Sequence, residues 1–280
     1  MTPQQTKPAG ASRKRSGSKA VNALVHPTAI IHPKAKLAEG VSVGPFTVIQ
    51  GQVSVGPRTK IGAHAVLEGR TTIGADCEIF SGAVIGSIPQ DLKYHGEESV
   101  LIIGDRNKIR EYVTINPGTE GGGGKTVIGS DCLLMAYSHV AHDCIVGNRV
   151  VIANSAALAG HIIVEDRAII GGLVGIHQFV RVGALAFIGG CSRVAQDVPP
   201  YSTVVGYPAK IFGLNVEGMR RAGVSDATKQ KLHHIYKILF HAKLSMRNAI
   251  EQAAKEEPSC PEVQHLLKFV RESKRGVCRA

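Results

Sequence analysis

Between Leu134 and Val194 a branched aliphatic residue returns at every sixth position, through Val140, Val146, Ile152, Leu158, Val164, Ile170, Ile176, Val182 and Ile188. A period of six fits neither the 3.6-residue helix nor the two-residue alternation of a half-buried strand. It is the mark of a parallel β-helix, in which each hexad makes one short strand and one corner. Three hexads close a triangular coil, and roughly 18 residues bring the chain back one layer higher. No coil buries its own apolar side, so the aliphatics must stack on those of neighbouring coils. Function is left to the outer corners and to whatever breaks the rhythm.

The repeat begins near Val25 and runs through Ile31, Leu37, Val43, Ile49 and onward to Ile85. Gly44, Gly56, Gly62, Gly74 and Gly86 follow its aliphatics, and are read as supplying tight or left-handed backbone at corners. The rhythm fails from Ser87 to Ser99, a polar stretch with Asp91 and Glu97 where aliphatics would fall, which reads as an ejected loop. Hexads resume at Ile103, Ile109 and Ile115, then break again in NPGTEGGGGKT. Gly121 to Gly124 lack the spacing of a phosphate-binding loop and no β–α unit surrounds them, so this stretch reads as a mobile flap. After Pro199-Pro200 the composition changes. From about Ser225 the chain reads helical, with Leu232, Ile235, Leu239 and Ala242 forming an apolar stripe, Ser245 an N-cap and Pro261 a first-turn proline. His233, His234 and His241 fall on the polar face. The division expected is a disordered basic arm over 1–22, a β-helix over 23–212 and a helical unit over 213–280 that caps the open coil.

The arm carries five Lys and Arg among its first twenty residues and no acid. It lacks the apolar core of a secretory signal, and no apolar run approaches the length of a membrane span. A net charge of +11 over 280 residues suits an acidic partner without calling for nucleic acid. The six cysteines form no CxxC pair and fall mostly inside the repeat as small fillers, which reads as a reducing, cytoplasmic compartment.

Residues about 18 apart share a corner, so His142, His161 and His177 climb a single edge with His139 close below. Such a column beside a break in the repeat points to a functional cluster. Imidazole is suited to proton transfer because it titrates near neutrality.

Ordered strings outside the hexads carry a resemblance: QDLKY at 90–94, GDRNKIRE at 104–111, SHVAHDC at 138–144, AGH at 159–161, HQF at 177–179, GGCSRVAQDVPPY at 189–201 and GLNVEGMRRAG at 213–223. Together they resemble the UDP-N-acetylglucosamine acyltransferase family of lipid A biosynthesis, from about Val25 to the C-terminus. The resemblance implies a left-handed β-helix with a C-terminal α-helical cap, a homotrimer, a UDP-N-acetylglucosamine acceptor and a 3-hydroxyacyl group delivered by acyl carrier protein, with no metal or other cofactor. By the same resemblance His142 is the general base, Asp143 orients it and the Gly160 N–H receives the oxyanion. His139, His161, His177 and Gln178 line the cleft, Asp91 and Lys93 hold substrate, and Asn215, Glu217 and Arg221 match the family's substrate-binding segment after the coil, where Arg221 contacts phosphate or carrier. Gly190 occupies the position that limits acyl length, and a glycine there leaves room for a longer chain. One departure stands out: Asn116-Pro117 replaces a His-Arg pair beside the acceptor, which keeps a 3-amino sugar nucleotide as an alternative acceptor. A γ-class carbonic anhydrase with three histidines on zinc and a non-catalytic β-helix scaffold remain as readings from other classes.

Overall fold

The computed structural model describes residues 24–242 and 244–279; the basic arm lies outside the described residues. Almost every strand is two residues long, and strands stack in parallel into three sheets of eleven, nine and eight strands. They are called here sheets 1, 2 and 3, and begin at Leu24–Val25, Ile30–Ile31 and Lys36–Leu37. The chain visits sheets 1, 2 and 3 in turn, and register advances one coil at a time, with Val140 beside Leu158 and Leu158 beside Ile176. The second residue of each pair points inward, so Ile103, Ile115, Leu134 and Ile152 are among the largest fully buried side chains.

The expected corner glycines divide. Gly86 takes a left-handed φ of +89°, whereas Gly44, Gly56, Gly62 and Gly74 do not; there that conformation falls two residues later, on Phe46, Arg58, His64 and Asp76, all with φ near +58°. A non-glycine residue there is strained by roughly 1–2 kcal/mol, offset by a hydrogen bond from its N–H to the preceding coil, as from Arg58 to the Glu39 carbonyl at 3.0 Å. The glycines serve close approach instead: a Cβ at Gly56 would lie 2.5 Å from the carbonyl carbon of Gly74 in the next coil.

Each corner has its own chemistry, because left-handed residues project outward in columns. The corner from sheet 1 to sheet 2 exposes Phe46, Tyr112, Tyr137 and Leu173, with the Tyr112 and Tyr137 rings stacked 5.1 Å apart. The corner from sheet 3 to sheet 1 is a charge ladder, in which Arg58 grips Asp76 and Arg106 grips Asp131 through paired hydrogen bonds. The corner from sheet 2 to sheet 3 carries the histidines, and both breaks in the repeat leave from it.

The last coil closes with an antiparallel hairpin, Ser202–Gly206 with Ala209–Leu214. Four helices follow: α1 (Val216–Arg221), α2 (Asp226–Phe240), α3 (Met246–Glu256) and α4 (Pro261–Glu272). Ser225 and Ser245 accept from Thr228 N–H and Asn248 N–H as N-caps, and Pro261 opens α4. Leu232, Ile235 and Leu239 are buried as a stripe, whereas Ala242 lies beyond the end of α2 and is exposed. The short helix α1 has no counterpart in the sequence reading. The C-terminal segment returns to the coil, where Cys278 N–H donates to the Asp197 carbonyl and Ser273 to the Asp197 side chain. Cys77, Cys132 and Cys144 fill the lumen, where burial raises the Cys144 thiol to about 12, while Cys191 sits outside on a corner.

Candidate active site

The corner after the strand His139–Val140 puts His142 and Asp143 side by side. Neighbours on a strand point to opposite faces; here Asp143 takes φ of +59°, which swings both side chains to the same side. Asp143 Oδ2 lies 2.8 Å from His142 Nδ1, and both residues are only 5% exposed. The carboxylate is saturated with donors, since Thr119 N–H reaches Oδ1 at 2.9 Å and Thr119 Oγ1 donates to Oδ2 at 2.6 Å. Toward Nδ1 the carboxylate is the acceptor, so His142 donates from Nδ1 and Nε2 carries the free lone pair.

One coil later, the same corner positions hold Gly160 and His161. A Cβ on Gly160 would meet His142 Cε1 at 2.5 Å, so only glycine lets the ring lie there. His161 meets the His142 ring edge-on at 5.0 Å and stacks on Phe179 of the following coil at 4.5 Å. Burial is the main cause that holds the His161 imidazole below its usual range. His139 projects from its strand to Thr114, with Nδ1 and Oγ1 2.7 Å apart, and burial lowers its pKa as well. The first loop folds back over this group, bringing Asp91 Oδ2 within 3.9 Å of His142 Nε2. Beyond His161 and Phe179 a cavity of about 660 Å³ opens against Arg181, Lys274 and Arg275.

His177 and Gln178 share the corner but are exposed, and His177 Nδ1 approaches only the Gln178 carbonyl, at 3.2 Å. Lys93 is exposed on the loop. Asn116, 3% exposed, donates from Nδ2 to the Ser87 and Ile88 carbonyls and ties down the loop, while its Oδ1 has no partner among the described residues. The glycine-rich stretch folds into a 3-10 turn at Glu120–Gly122, tied through Thr119 to Asp143. Gly190 lies on the corner from sheet 1 to sheet 2. Asn215, Glu217 and Arg221 lie beside the corner from sheet 3 to sheet 1, where Asn215 caps α1 and donates to the Leu185 carbonyl. Glu217 sits between Arg220 and Arg221, which depress its carboxyl to about 2. These residues do not join the histidines within one chain.

Residues the sequence reading missed are Thr114, Thr119, Thr126 and Phe179. Thr126 accepts from the Asp143 N–H at 2.8 Å. The one available signal was a threonine just ahead of the glycines.

His142, Asp143 and His161 offer donor atoms within 4.8 Å of one another. The Oδ2 lone pairs of Asp143 already serve Thr119 and His142, so a shared cation would have to break that pair. The donor set does not fit the zinc site of a carbonic anhydrase.

A triangular coil with a carboxylate-held histidine at a corner defines a hexapeptide-repeat transferase, and residues 125–160 match the model of bacterial transferase hexapeptide repeats. Residues 197–278 match the model described as UDP N-acetylglucosamine O-acyltransferase, domain 2. An acyl-[acyl-carrier-protein]--UDP-N-acetylglucosamine O-acyltransferase of Anaeromyxobacter dehalogenans is 50% identical over 91% of this chain and 99% of its own length. One from Thermodesulfovibrio yellowstonii is 51% identical over the same shares. Among solved structures, LpxA from Acinetobacter baumannii superposes with a TM-score of 0.89 at 46% identity, covering 91% of this chain and all of that one. The Arabidopsis UDP-N-acetylglucosamine acyltransferase gives 0.80 at 38%. The chain belongs to the UDP-N-acetylglucosamine O-acyltransferase family, and its coil is the left-handed β-helix of that family.

Proposed function

We propose that this chain transfers a 3-hydroxyacyl group from acyl carrier protein to the 3-hydroxyl of UDP-N-acetylglucosamine, the first step of lipid A biosynthesis. The observation that carries the reading is the His142–Asp143 pair, with Nδ1 committed to the carboxylate and Nε2 turned toward Asp91. Asp91 Oδ2, 3.9 Å from Nε2, is left to accept from another donor of the sugar. The sugar 3-hydroxyl sits at hydrogen-bonding distance from Nε2, gives its one proton to Nε2 and attacks the thioester carbonyl. The tetrahedral oxyanion is received at the Gly160 N–H, which has no acceptor among the described residues. Collapse breaks the carbon–sulfur bond, and the protonated imidazole returns its proton to the carrier thiolate.

His139, His161, His177, Gln178 and Lys93 line the approach, Arg221 takes phosphate or carrier, and Gly190 leaves room for a long acyl chain. Gly190 and Arg221 stand on different corners from His142, which supports a homotrimer with the site shared between copies. The exposed Phe46, Tyr112, Tyr137 and Leu173 on a single corner support such a contact. Among the described residues no helix is long and apolar enough to cross a membrane; the reaction is assigned to the cytoplasm.

The test is mass spectrometry of purified protein with 3-hydroxyacyl carrier proteins of graded length and UDP-N-acetylglucosamine. O-acylated sugar nucleotide that vanishes with His142→Ala is the expected result. No product at any chain length overturns the reading.

A further inference from the structure

Both interruptions of the repeat leave the coil at the corner that carries His142, and the second does so with four glycines. Its path is determined by one side chain. Thr119 meets Asp143 twice, through its backbone N–H and its hydroxyl, and so occupies both carboxylate oxygens. The turn that follows brings Gly122 flat against the same carboxylate, where a Cβ would lie 1.9 Å from Asp143 Cγ. A Cβ on the adjacent Gly121 would meet nothing within 4 Å. Thr126, where the chain rejoins the coil, accepts from the Asp143 N–H and fixes the backbone. Asp143 is thus enclosed by one segment; beyond it, among the described residues, His142 Nδ1 lies 2.8 Å and His161 Nδ1 3.9 Å from Oδ2.

We propose that Thr119 and Gly122 clamp Asp143 and that Thr119 is a positioning residue for the general base, a role that rests on the reading of His142 given above. Thr119 touches neither His142 nor the space around Nε2; it acts through the carboxylate. Its two donors fix the plane of the carboxylate, and thereby the orientation of the imidazole whose Nδ1 proton that carboxylate accepts. The Thr119 hydroxyl also shares Oδ2 with Nδ1–H, so the two donors compete for one oxygen. With the hydroxyl removed, Oδ2 becomes a stronger acceptor for Nδ1–H and favours the imidazolium.

Thr119→Val keeps the backbone donor and the shape of the side chain while removing the hydroxyl. The expected result is a kcat at least about tenfold lower, the scale of one lost hydrogen bond to a charged group, with KM unchanged. The acidic limb of the pH–rate profile moves to higher pH, because the imidazolium must lose its proton before it can act. Thr119→Ser restores both. Gly122→Ala, which drives a methyl group into the carboxylate, lowers kcat at least as far, and Gly121→Ala leaves it at the wild-type value. A second readout does not depend on turnover: nitrogen-15 NMR of the histidine rings follows the Nδ1 proton of His142, which is bonded in wild type and changes shift in Thr119→Val. Wild-type kcat, pH limb and ring spectrum in Thr119→Val would overturn the clamp. An equal loss in Gly121→Ala and Gly122→Ala would also overturn it. A wild-type protein that transfers no acyl group, yet shows the Nδ1 shift change, sinks the proposed function and leaves the clamp standing.

Discussion

At the residue scale the site depends on one ring being held by one nitrogen. His142 Nδ1 is committed to Asp143 and its other face lies over Gly160. Removal of the base in His142→Ala is expected to cost about 10²- to 10⁴-fold in kcat while the melting temperature stays close to wild type, since the ring lies outside the lumen. Gly160→Ala is the steric counterpart. Its methyl would fall 2.5 Å from Cε1, and a displacement of about 1 Å at the base is expected to lower kcat by up to 10²-fold; steady-state kinetics on the folded variant decides. The neighbouring histidines set a pH dependence of stability. Burial holds the pKa values of His139 and His161 below that of an unfolded histidine. As pH falls through the unfolded value near 6.5, the unfolded chain takes up protons that the folded chain refuses, so stability present above that pH is lost toward acid. Calorimetry between pH 7.5 and 5 should record a falling melting temperature, with a shallower slope in His139→Gln; an equal slope in both would remove His139 from the account.

At the scale of the elements, a two-residue strand has almost no stability of its own, and each hexad depends on the coils on either side. Lumen and corner are therefore expected to respond very differently. Ile152→Ala empties a fully buried lumen position and should cost about 2–5 kcal/mol. Arg106→Ala breaks paired hydrogen bonds to Asp131 on an exposed ladder, and should cost less than about 1 kcal/mol; urea titration of both variants separates the two. The same contrast explains what could be read from the chain. The lumen was legible because burial leaves a period of six in the aliphatics, and the shared corner of His142 and His161 followed from counting. The helix cap at Ser245 was legible because a cap is a local hydrogen bond. Thr119 was not, because it meets Asp143 across twenty-four residues and the stretch around it has no period. The task of Gly56 stayed open for a related reason: a close approach between coils and a left-handed φ both call for glycine in a sequence, and only the position of Gly74 tells them apart.

For the whole molecule, the three corners raise a question that one chain does not answer. The base and its clamp stand between sheets 2 and 3, Gly190 between sheets 1 and 2, and Arg221 beside the return from sheet 3 to sheet 1. A rigid coil does not fold its own corners together, so residues on different corners act on one substrate only if another copy presents them. A ring built by three-fold rotation does this without leaving an unpaired face, since a head-to-tail contact that closes satisfies every copy equally. The consequence is complementation. His142→Ala and Arg221→Ala are each expected to be inactive alone. Co-expressed in equal amounts, they should assemble sites in which one copy supplies an intact histidine and its neighbour an intact arginine, at about one site in four for random mixing in a closed ring. Acyl transfer should return to roughly a quarter of the wild-type rate per site. Gly190→Met tests the same geometry from the third corner: a longer side chain should shorten the preferred acyl chain while leaving the His142 chemistry intact, and it should do so in a copy that carries His142→Ala, because the ruler and the base then belong to different chains. No recovery on co-expression would mean that His142 and Arg221 serve a site within one chain, and full activity in Arg221→Ala alone would mean that Arg221 has no part in the site.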